Sequence, residues 1–296
     1  MMYDILSFYQ AENVDGAIAA LNDNPESILI SGGTDVLIKL RAGEYNKSAL
    51  VSIHGLKELT GVEKLADGTV VIKSCTCFAD IAKDPIVRDF LPALAAAADQ
   101  VGGPQIRNVA TIGGNICNGA VSADSAPVLL AYNAVLEFKD EKGIVNIPIG
   151  EFYTGPGKTV RNHTQILTAI KISKTDYECF GAHYIKFGAR NAMEIATVGC
   201  AANVRLSEDR TVIDDLRIAF GVAAPTPVRC PRTEAEMSGM PVCSDTLALI
   251  GDGVLREVNP RDSLRASKVF RLQLIRELSM RAVKSAVENA GGVIDA

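Results

Sequence analysis

The order of the predicted helices and strands divides the chain into two parts with different architectures. In the first part, short apolar runs typical of strands alternate with helical stripes such as the one at residues 14–21. A polar break at residues 174–178 follows, and beyond it three long strands are predicted in succession, ahead of a helical tail. We therefore expect an α+β fold with one domain at residues 1–176 and a smaller domain, with an antiparallel sheet and helices, at residues 177–296.

The same patterns place the individual elements. Strands are predicted at residues 27–30, 50–53, 69–73, 135–138, 144–147, 166–172, 183–187, 197–206 and 216–222. Helices are predicted at residues 14–21, 91–101, 245–256 and 262–288. The region 105–125 is rich in Gly, Asn, Ser and Thr and has little periodicity, so we expect a long polar loop. Such loops inside a compact domain are usually functional.

Two loops with paired glycines are the strongest candidates for a binding site. Residues 29–35 read LISGGTD, and residues 111–115 read TIGGN. Glycine permits positive φ and lets the backbone approach a ligand closely, and successive N–H groups can then line an anion-binding concavity. Each pair taken singly also fits an ordinary turn. As a matched pair within one predicted domain, they also fit a pyrophosphate flanked by two sugars.

Other nucleotide-binding fingerprints are missing from the sequence. No G-x-G-x-x-G occurs, which disfavours a Rossmann site. Gly157, Lys158 and Thr159 resemble the end of a P-loop, but Phe152 stands where a Walker A motif needs glycine. Residues 154–157 are therefore predicted to form a turn and not an ATP site.

Two charged residues each have a functional and a structural interpretation. Asp124 ends the polar region; it could accept hydrogen bonds from ligand hydroxyls, or it could cap the helix that follows. Lys186 stands in a predicted strand; it could meet a phosphate or a cofactor ring, or it could reach along the surface into solvent. The sequence leaves both pairs of alternatives open.

Composition and charge argue against several classes of protein. A net charge of −5 gives no electrostatic footprint for nucleic acid. No run of about 18 apolar residues predicts a membrane span, and the N-terminus has no signal-peptide pattern, so a cytoplasmic location is expected. The three His are scattered and the seven Cys lack metal or cluster spacing, so no metal site is predicted. The lack of visible acid–base machinery fits a protein whose chemistry is supplied by a bound cofactor.

The chain resembles the FAD-binding subunits of molybdenum hydroxylases of the xanthine dehydrogenase type. The resemblance is carried by residues 30–35, 103–116, 122–125, 220–227 and 265–267, and it extends over essentially the whole chain. It implies a two-lobed FAD-binding domain of the p-cresol methylhydroxylase or vanillyl-alcohol oxidase type. A smaller C-terminal domain of the CO dehydrogenase flavoprotein type would follow.

The resemblance also implies which residues bind non-covalent FAD. The two glycine loops contribute Leu29, Ile30, Ser31, Gly32, Gly33, Thr34, Asp35, Val36, Thr111, Ile112, Gly113, Gly114 and Asn115. Asp124 matches a carboxylate that binds the ribityl or ribose region, and Leu167 and Lys186 match positions near the isoalloxazine. Val101 aligns with a position that is aromatic in eukaryotic relatives, which leaves open what covers that side of the ring.

Residues 188–195 resemble a loop beside the nicotinamide-facing side of the flavin, which adds Ile195 to the expected site. The same segment also fits an ordinary connection between two strands. The sequence does not decide between these interpretations.

The activity that the resemblance implies is electron transfer within a larger complex. Electrons would pass from the iron–sulfur clusters of a partner, through FAD, to NAD. The implied partners are a molybdopterin-binding large subunit that hydroxylates a purine or another N-heterocycle, and a small subunit with two 2Fe–2S clusters. FAD is the only cofactor expected in this chain. Three other functions stay open: a subunit of a nicotinate or aldehyde hydroxylase, a self-contained flavin oxidase, and a non-catalytic nucleotide-binding scaffold. Ferredoxin or oxygen also stays open as the electron acceptor.

Overall fold

A small parallel sheet opens the fold of the computed structural model, which describes residues 4–45 and 47–294. Its strands, in the order β1-β3-β2, are β1 (Ile5–Gln10), β2 (Ile28–Ile30) and β3 (Ser48–Ser52). Parallel neighbours need crossover connections, which here contain α1 (Val14–Asp23) and α2 (Val36–Ala42). The helix predicted at residues 14–21 is confirmed. The side chain of Asn13 caps it, and Val14, Ala17, Ile18 and Leu21 are buried.

A five-stranded antiparallel sheet forms the second lobe. Its order is β4-β5-β10-β6-β7, with β4 (Val62–Lys64), β5 (Val70–Lys73), β6 (Val135–Asp140), β7 (Gly143–Pro148) and β10 (Ile166–Ile172). The predicted hairpin and the predicted strand at residues 166–172 are confirmed. A two-stranded ribbon, β8 (Tyr153–Gly155) and β9 (Lys158–Thr159), has the predicted turn between its strands, with Gly157 at φ +68°.

Six short helices lie between β5 and β6 along the chain, and their apolar side chains share a hydrophobic core with this sheet. They are α3 (Phe78–Ile81), α4 (Pro85–Phe90), α5 (Pro92–Asp99), α6 (Pro104–Arg107), α7 (Ile112–Cys117) and α8 (Ser125–Ala131). The prediction of a long loop at residues 105–125 was therefore wrong. Helix α7 forms in spite of its two glycines because Thr111 caps it and because Ile112 and Ile116, one turn apart, are fully buried.

The second part of the chain is an antiparallel meander covered by helices. Its strands, in sheet order, are β11 (Phe180–Phe187), β12 (Val198–Leu206), β13 (Ile213–Gly221) and β14 (Val228–Arg229). Its helices are α9 (Pro231–Met237), α10 (Ser244–Val254) and α11 (Lys268–Asn289). The three predicted long strands and the predicted helix at residues 245–256 are confirmed to within a few residues.

The long C-terminal helix begins six residues later than the sequence predicted. Its first hydrogen-bonded turn is capped by Ser267, whose hydroxyl oxygen accepts from the N–H of Phe270 at 3.2 Å. Asp262 lies in the preceding loop, where its carboxylate accepts from the N–H of Lys268 at 2.6 Å. Asp262 therefore bonds the first residue of the helix from outside it, and residues 262–267 form a loop that leads into the helix.

The five-stranded sheet and the C-terminal meander share one hydrophobic core. One face of the C-terminal meander, through Ala182, Tyr184 and Ala201, joins the cluster around α5 and α8, and the opposite face packs against α11. The polar break is a short 3₁₀ turn at Lys174–Asp176. There the carboxylate of Asp176 accepts from the guanidinium of Arg217 at 2.8 Å. No helix in the described part of the chain is long and apolar enough to cross a bilayer.

Candidate functional site

An open cavity of about 660 Å³ lies between the two lobes of the first part and a segment of the second. Of the predicted site residues, it is lined by Leu29, Ser31, Gly32, Gly33, Thr34, Asp35, Val36, Val101, Thr111, Gly113, Gly114, Asn115, Asp124, Leu167 and Ile195. Residues distant in sequence therefore surround a single space.

Three predicted site residues do not line this cavity. Ile30 is buried and packs in the small cluster of Leu40 and Leu50. Ile112, the first residue of α7, is fully buried. Lys186 borders a smaller neighbouring cavity of about 210 Å³. Ile30 lies in a strand and Ile112 lies in a helix. In each element the apolar side chain packs into the core, while neighbouring residues face the cavity.

The glycines of the first loop allow the two loops to touch. A Cβ on Gly32 would lie 1.8 Å from the carbonyl oxygen of Val109, so only glycine fits there. Gly33 has φ +73°, a backbone conformation that residues other than glycine rarely adopt. The hydroxyl of Thr111 donates to the hydroxyl oxygen of Ser31 at 3.3 Å and so joins the loops directly.

The second loop is fixed against the strand that precedes the helical region. The N–H of Gly113 donates to the carbonyl oxygen of Ser74 at 2.8 Å, and a Cβ on Gly113 would lie 2.7 Å from that oxygen. The side-chain oxygen of Asn115 accepts from the hydroxyl of Ser125 at 2.7 Å. Both glycine pairs therefore form a tightly packed wall of the cavity. In each pair, one glycine lies against the backbone of a neighbouring segment: Gly32 against Val109, and Gly113 against Ser74.

Asp124 is a buried carboxylate shared with the second part of the chain. One of its oxygens accepts from the hydroxyl of Tyr184 at 2.8 Å, and the other accepts from the ammonium of Lys186 at 2.8 Å. The Asp124 side chain makes no capping hydrogen bond, so the capping interpretation was wrong. The surface interpretation of Lys186 was also wrong, since its side chain is only 9% exposed. Burial raises the pKa of Asp124, although Lys186 and Tyr184 partly offset this effect.

Several polar residues of the cavity were missed by the sequence analysis. Lys39, Tyr45, Asn118, Arg161, His163 and Gln165 all line it. The ammonium of Lys39 lies 5.6 Å from the ring centroid of Tyr45 and donates to the side-chain oxygen of Asn118 at 3.4 Å. The stretch from Arg161 to Gln165 is a polar link between two strands, and polar links carry no periodic signal that separates a binding residue from a connecting one.

His163 lines the cavity and carries a buried ring nitrogen, Nε2, without a hydrogen-bond partner among the residues described. A buried polar atom without a partner is costly, so a ligand that supplies a partner would be stabilised there. Among residues 4–45 and 47–294, no three or more His, Cys, Asp or Glu are grouped so as to hold a metal ion.

These features fit a flavin dinucleotide. The volume lies in the usual range of small-molecule pockets, and the two glycine loops form adjoining parts of its wall. Hydroxyl, amide and carboxylate groups alternate with apolar side chains such as Val101, Leu167 and Ile195. Such a mixture suits a ligand with an aromatic ring at one end and sugars and phosphates further along.

The segment that joins β11 to β12 forms the exposed side of the cavity. The N–H of Met193, a residue at φ +55°, donates to the carbonyl oxygen of Gly102 at 3.1 Å. Next to it, the guanidinium of Arg190 donates to the carboxylate of Glu194 at 2.9 Å. Ile195 is about half exposed and lines the cavity. The segment therefore connects two strands and also borders the cavity.

Comparisons with known proteins place these observations in a family. The family model described as the FAD binding domain in molybdopterin dehydrogenase matches residues 3–175, and the CO dehydrogenase flavoprotein C-terminal domain matches residues 183–286. A protein of Escherichia coli K12 described as a putative xanthine dehydrogenase FAD-binding subunit is 46% identical over 291 residues, which span 98% of this chain and 99% of the relative.

Two further relatives show how widely the architecture is used. The nicotinate dehydrogenase FAD-subunit of Eubacterium barkeri is 28% identical over 80% of this chain and 79% of its own length. A solved chain of the carbon monoxide dehydrogenase of Hydrogenophaga pseudoflava superposes with a TM-score of 0.92 at 26% identity, covering 98% of this chain and 99% of that one. The chain therefore belongs to the family of FAD-binding subunits of molybdenum hydroxylases, with FAD as its cofactor.

Proposed function

We propose that this chain passes electrons between the iron–sulfur clusters of a partner and NAD, within a cytoplasmic hydroxylase complex of the xanthine or purine dehydrogenase type. The observation that carries the proposal is the single cavity lined by both glycine loops, Asp124 and Ile195. The 46% identity with the Escherichia coli protein described as a xanthine dehydrogenase subunit supports the purine class. Bound FAD supplies a ring that exchanges electrons one at a time or as a hydride.

In this proposal, different residues of the cavity bind different parts of FAD. We assign the pyrophosphate to the loops at residues 29–36 and 111–115, and the ribityl hydroxyls to Asp124. Val101, Leu167 and Ile195 would border the isoalloxazine. Lys186 would act close to the ring by holding the carboxylate of Asp124 in place.

The two parts of the chain have different tasks in this proposal. Residues 1–176 would form the FAD-binding domain, and residues 177–296 would close the cavity and carry its exposed side. Two partners would complete the enzyme: a large subunit that binds molybdopterin and a small subunit with two 2Fe–2S clusters. The likeness to the medium chain of a carbon monoxide dehydrogenase, an enzyme with a molybdenum cofactor, supports such a division.

A nicotinate hydroxylase is the second candidate. The likeness to the nicotinate dehydrogenase FAD-subunit favours it, although at 28% identity against 46% for the xanthine dehydrogenase relative. The substrate would be chosen by the large subunit, so the two candidates make the same demands on the cavity described here.

The acceptor and the substrate are tested separately. The FAD-loaded chain should be reduced by NADH in an anaerobic stopped-flow experiment, with loss of the oxidised flavin absorbance, and NADPH is the matched control. Absence of reduction by NADH would overturn NAD as the acceptor. The complex purified with its partners should oxidise xanthine or hypoxanthine, and activity with nicotinate alone would favour the second candidate.

A further inference from the structure

Two side chains from the second part of the chain hold the buried carboxylate of Asp124. The hydroxyl of Tyr184 donates to one carboxylate oxygen at 2.8 Å, and the ammonium of Lys186 donates to the other at 2.8 Å. Tyr184 and Lys186 are two residues apart on β11, so their side chains leave the strand on the same face. The two donors therefore reach Asp124 together, from a single strand of the second part.

Neither donor lines the cavity, whereas Asp124 does. Tyr184 is buried in the core that the two parts share. Burial and the nearby Asp124 raise the pKa of Tyr184 well above its ordinary value, so its hydroxyl stays protonated and able to donate. An ionised carboxylate has about four acceptor sites, of which Tyr184 and Lys186 occupy two. The other sites are left for a ligand, so Tyr184 can act on FAD only through Asp124.

The two donors have separate roles because only one of them is charged. Lys186 supplies the counter-charge, and its ammonium also donates to the carbonyl oxygen of Gln100 at 2.9 Å. Tyr184 supplies a neutral hydroxyl to the other carboxylate oxygen, which has no second donor in the described part of the chain. Because a buried oxygen without a donor is costly, Tyr184 fixes the half of the carboxylate that Lys186 does not reach.

The neighbouring strand leaves room for the hydroxyl of Tyr184. A Cβ on Gly199, in β12, would lie 2.8 Å from that hydroxyl oxygen and 3.4 Å from the nearest ring atom. Gly199 is not among the glycines with positive φ, so its backbone conformation does not require glycine. The need for glycine at position 199 comes instead from the place that the Tyr184 hydroxyl occupies when it donates to Asp124.

We propose that Tyr184 is a positioning residue for FAD, because its hydroxyl holds the carboxylate of Asp124 in the orientation in which it accepts from the cofactor. The inference rests on the proposed function, which assigns the ribityl hydroxyls to Asp124. It extends that function to a side chain that does not touch the cavity. The second part of the chain then sets FAD affinity through a hydrogen bond to a residue of the first part.

Removal of the Tyr184 hydroxyl should also change how FAD binding depends on pH. Burial raises the pKa of Asp124, whereas Lys186 and the hydroxyl of Tyr184 lower it. Without that hydroxyl the pKa of Asp124 should rise further. A protonated carboxyl is a weaker acceptor than a carboxylate, so FAD affinity should fall as the pH drops through the pKa of Asp124. This fall should begin at a higher pH in Tyr184→Phe.

The other ionisable groups near this site titrate in different directions. Arg190 and Glu194, which border the small cavity with Lys186, form an ion pair at 2.9 Å, and Arg190 lowers the pKa of Glu194. Burial raises the pKa of Cys200, on β12, well above its ordinary value, so this thiol stays neutral. Asp124 is therefore the acid of this group whose pKa lies above its ordinary value.

The test is a titration of the apoprotein with FAD, followed by flavin fluorescence over a series of pH values. Tyr184→Phe should weaken FAD binding about tenfold at neutral pH and move the acid limb upward by roughly one pH unit. Tyr177→Phe is the matched control, since Tyr177 is a buried tyrosine whose hydroxyl donates to the carbonyl oxygen of Gly68, outside the cavity. This control should keep the wild-type affinity and the wild-type acid limb.

Gly199→Ala tests the same hydrogen bond from the other side. The added methyl group should displace the hydroxyl of Tyr184, so this variant should weaken FAD binding by a similar factor. In the double variant with Tyr184→Phe the hydroxyl is already gone, and Gly199→Ala should add little. Losses that multiply in the double variant would overturn the inference, because the two residues would then act separately.

Asp124→Asn separates the inference from the proposed function. Weaker FAD binding in Asp124→Asn, together with wild-type binding in Tyr184→Phe, would overturn the inference and leave the proposed function intact. A loss of affinity in Tyr184→Phe without the shift of the acid limb would reduce Tyr184 to a packing role and would also overturn it. Wild-type FAD binding in Asp124→Asn would remove Asp124 from the proposed cofactor site, and the inference would fail with that assignment.

Discussion

The two sides of the cavity are built in opposite ways. On one side, the glycine loops are fixed by backbone contacts, such as the approach of Val109 to Gly32 and the bond from Gly113 to Ser74. On the other side, residues 188–195 are mostly exposed and are held by one ion pair and a few hydrogen bonds. This difference indicates that the glycine-loop side is shaped to bind a ligand in one fixed geometry. The side formed by residues 188–195 can change in conformation without loss of the fold. Four predictions test this contrast.

The largest effect is expected at Gly32. Gly32→Val would place side-chain atoms into the carbonyl of Val109, so we expect a loss of about 3 kcal/mol or more in the free energy of unfolding and loss of bound FAD. Gly150→Ala is the control, because a Cβ there meets nothing within 4 Å. Thermal unfolding and the flavin-to-protein absorbance ratio measure both effects. Full FAD occupancy with an unchanged melting temperature would show that this wall is not rigid.

Asp124 connects the two sides. Asp124→Asn leaves the buried ammonium of Lys186 without its counter-charge, so the apoprotein should lose about 1–3 kcal/mol of unfolding free energy. The affinity for FAD should fall as well. Adding Lys186→Met removes the unpaired charge and should recover stability but not FAD affinity. Urea unfolding of the apoprotein and a flavin titration separate the two, and unchanged FAD affinity in both variants would limit Asp124 to a structural role.

Ile195 probes the exposed side. Ile195→Trp should slow the reduction of bound flavin by NADH by about tenfold, because hydride transfer is sensitive to small misplacements of the reactants. Binding of FAD should be unaffected, since the fixed wall is untouched. Stopped-flow absorbance gives the rate, and Ile144→Trp serves as an exposed control on β7. A loss of FAD with an unchanged rate would mean that the two sides do not differ as described.

The smallest effect is expected at the cysteines of the fixed wall. Burial raises the pKa of Cys117 to about 11, so about one thiol in a thousand is ionised at pH 8. Burial also raises the pKa of Cys75, although hydrogen bonds from Ser31 and Ser74 partly offset this. Iodoacetamide should therefore label the exposed Cys179 before Cys75 and Cys117, even in the apoprotein. Labelling of Cys117 at the rate of Cys179 would show that the wall opens when FAD is absent.

The fold was largely predictable where apolar residues recur with the spacing of a single helix or strand. Residues 166–172 were placed correctly because apolar residues fill a central strand, and residues 14–21 because every fourth or third residue is buried. Helix α7 was missed because its glycines have low helix propensity, and its stability comes from burial of Ile112 and Ile116, which only tertiary contacts reveal.

From residue patterns alone, without the family resemblance, the cavity was predictable only where its residues form a motif. The glycine loops have a recognisable pattern, whereas His163 lies in a polar link with no pattern at all. The pairing of Asp124 with Lys186 joins residues 62 apart in sequence, and no local rule indicates that a strand lysine will meet a carboxylate at the end of a loop. Long-range pairing of this kind is determined by how the sheets pack.

The contact between the glycine loops has a consequence for transplanting the site. Ser31 and Thr111 are 80 residues apart in sequence, and yet the carbonyl of Val109 occupies the space that a side chain on Gly32 would need. Neither loop can change its shape without the other, so the two loops are structurally coupled. A chimera that receives only one loop from a distant homologue should fail to assemble the site, whereas one that receives both should succeed. Grafting experiments should therefore exchange the loops together.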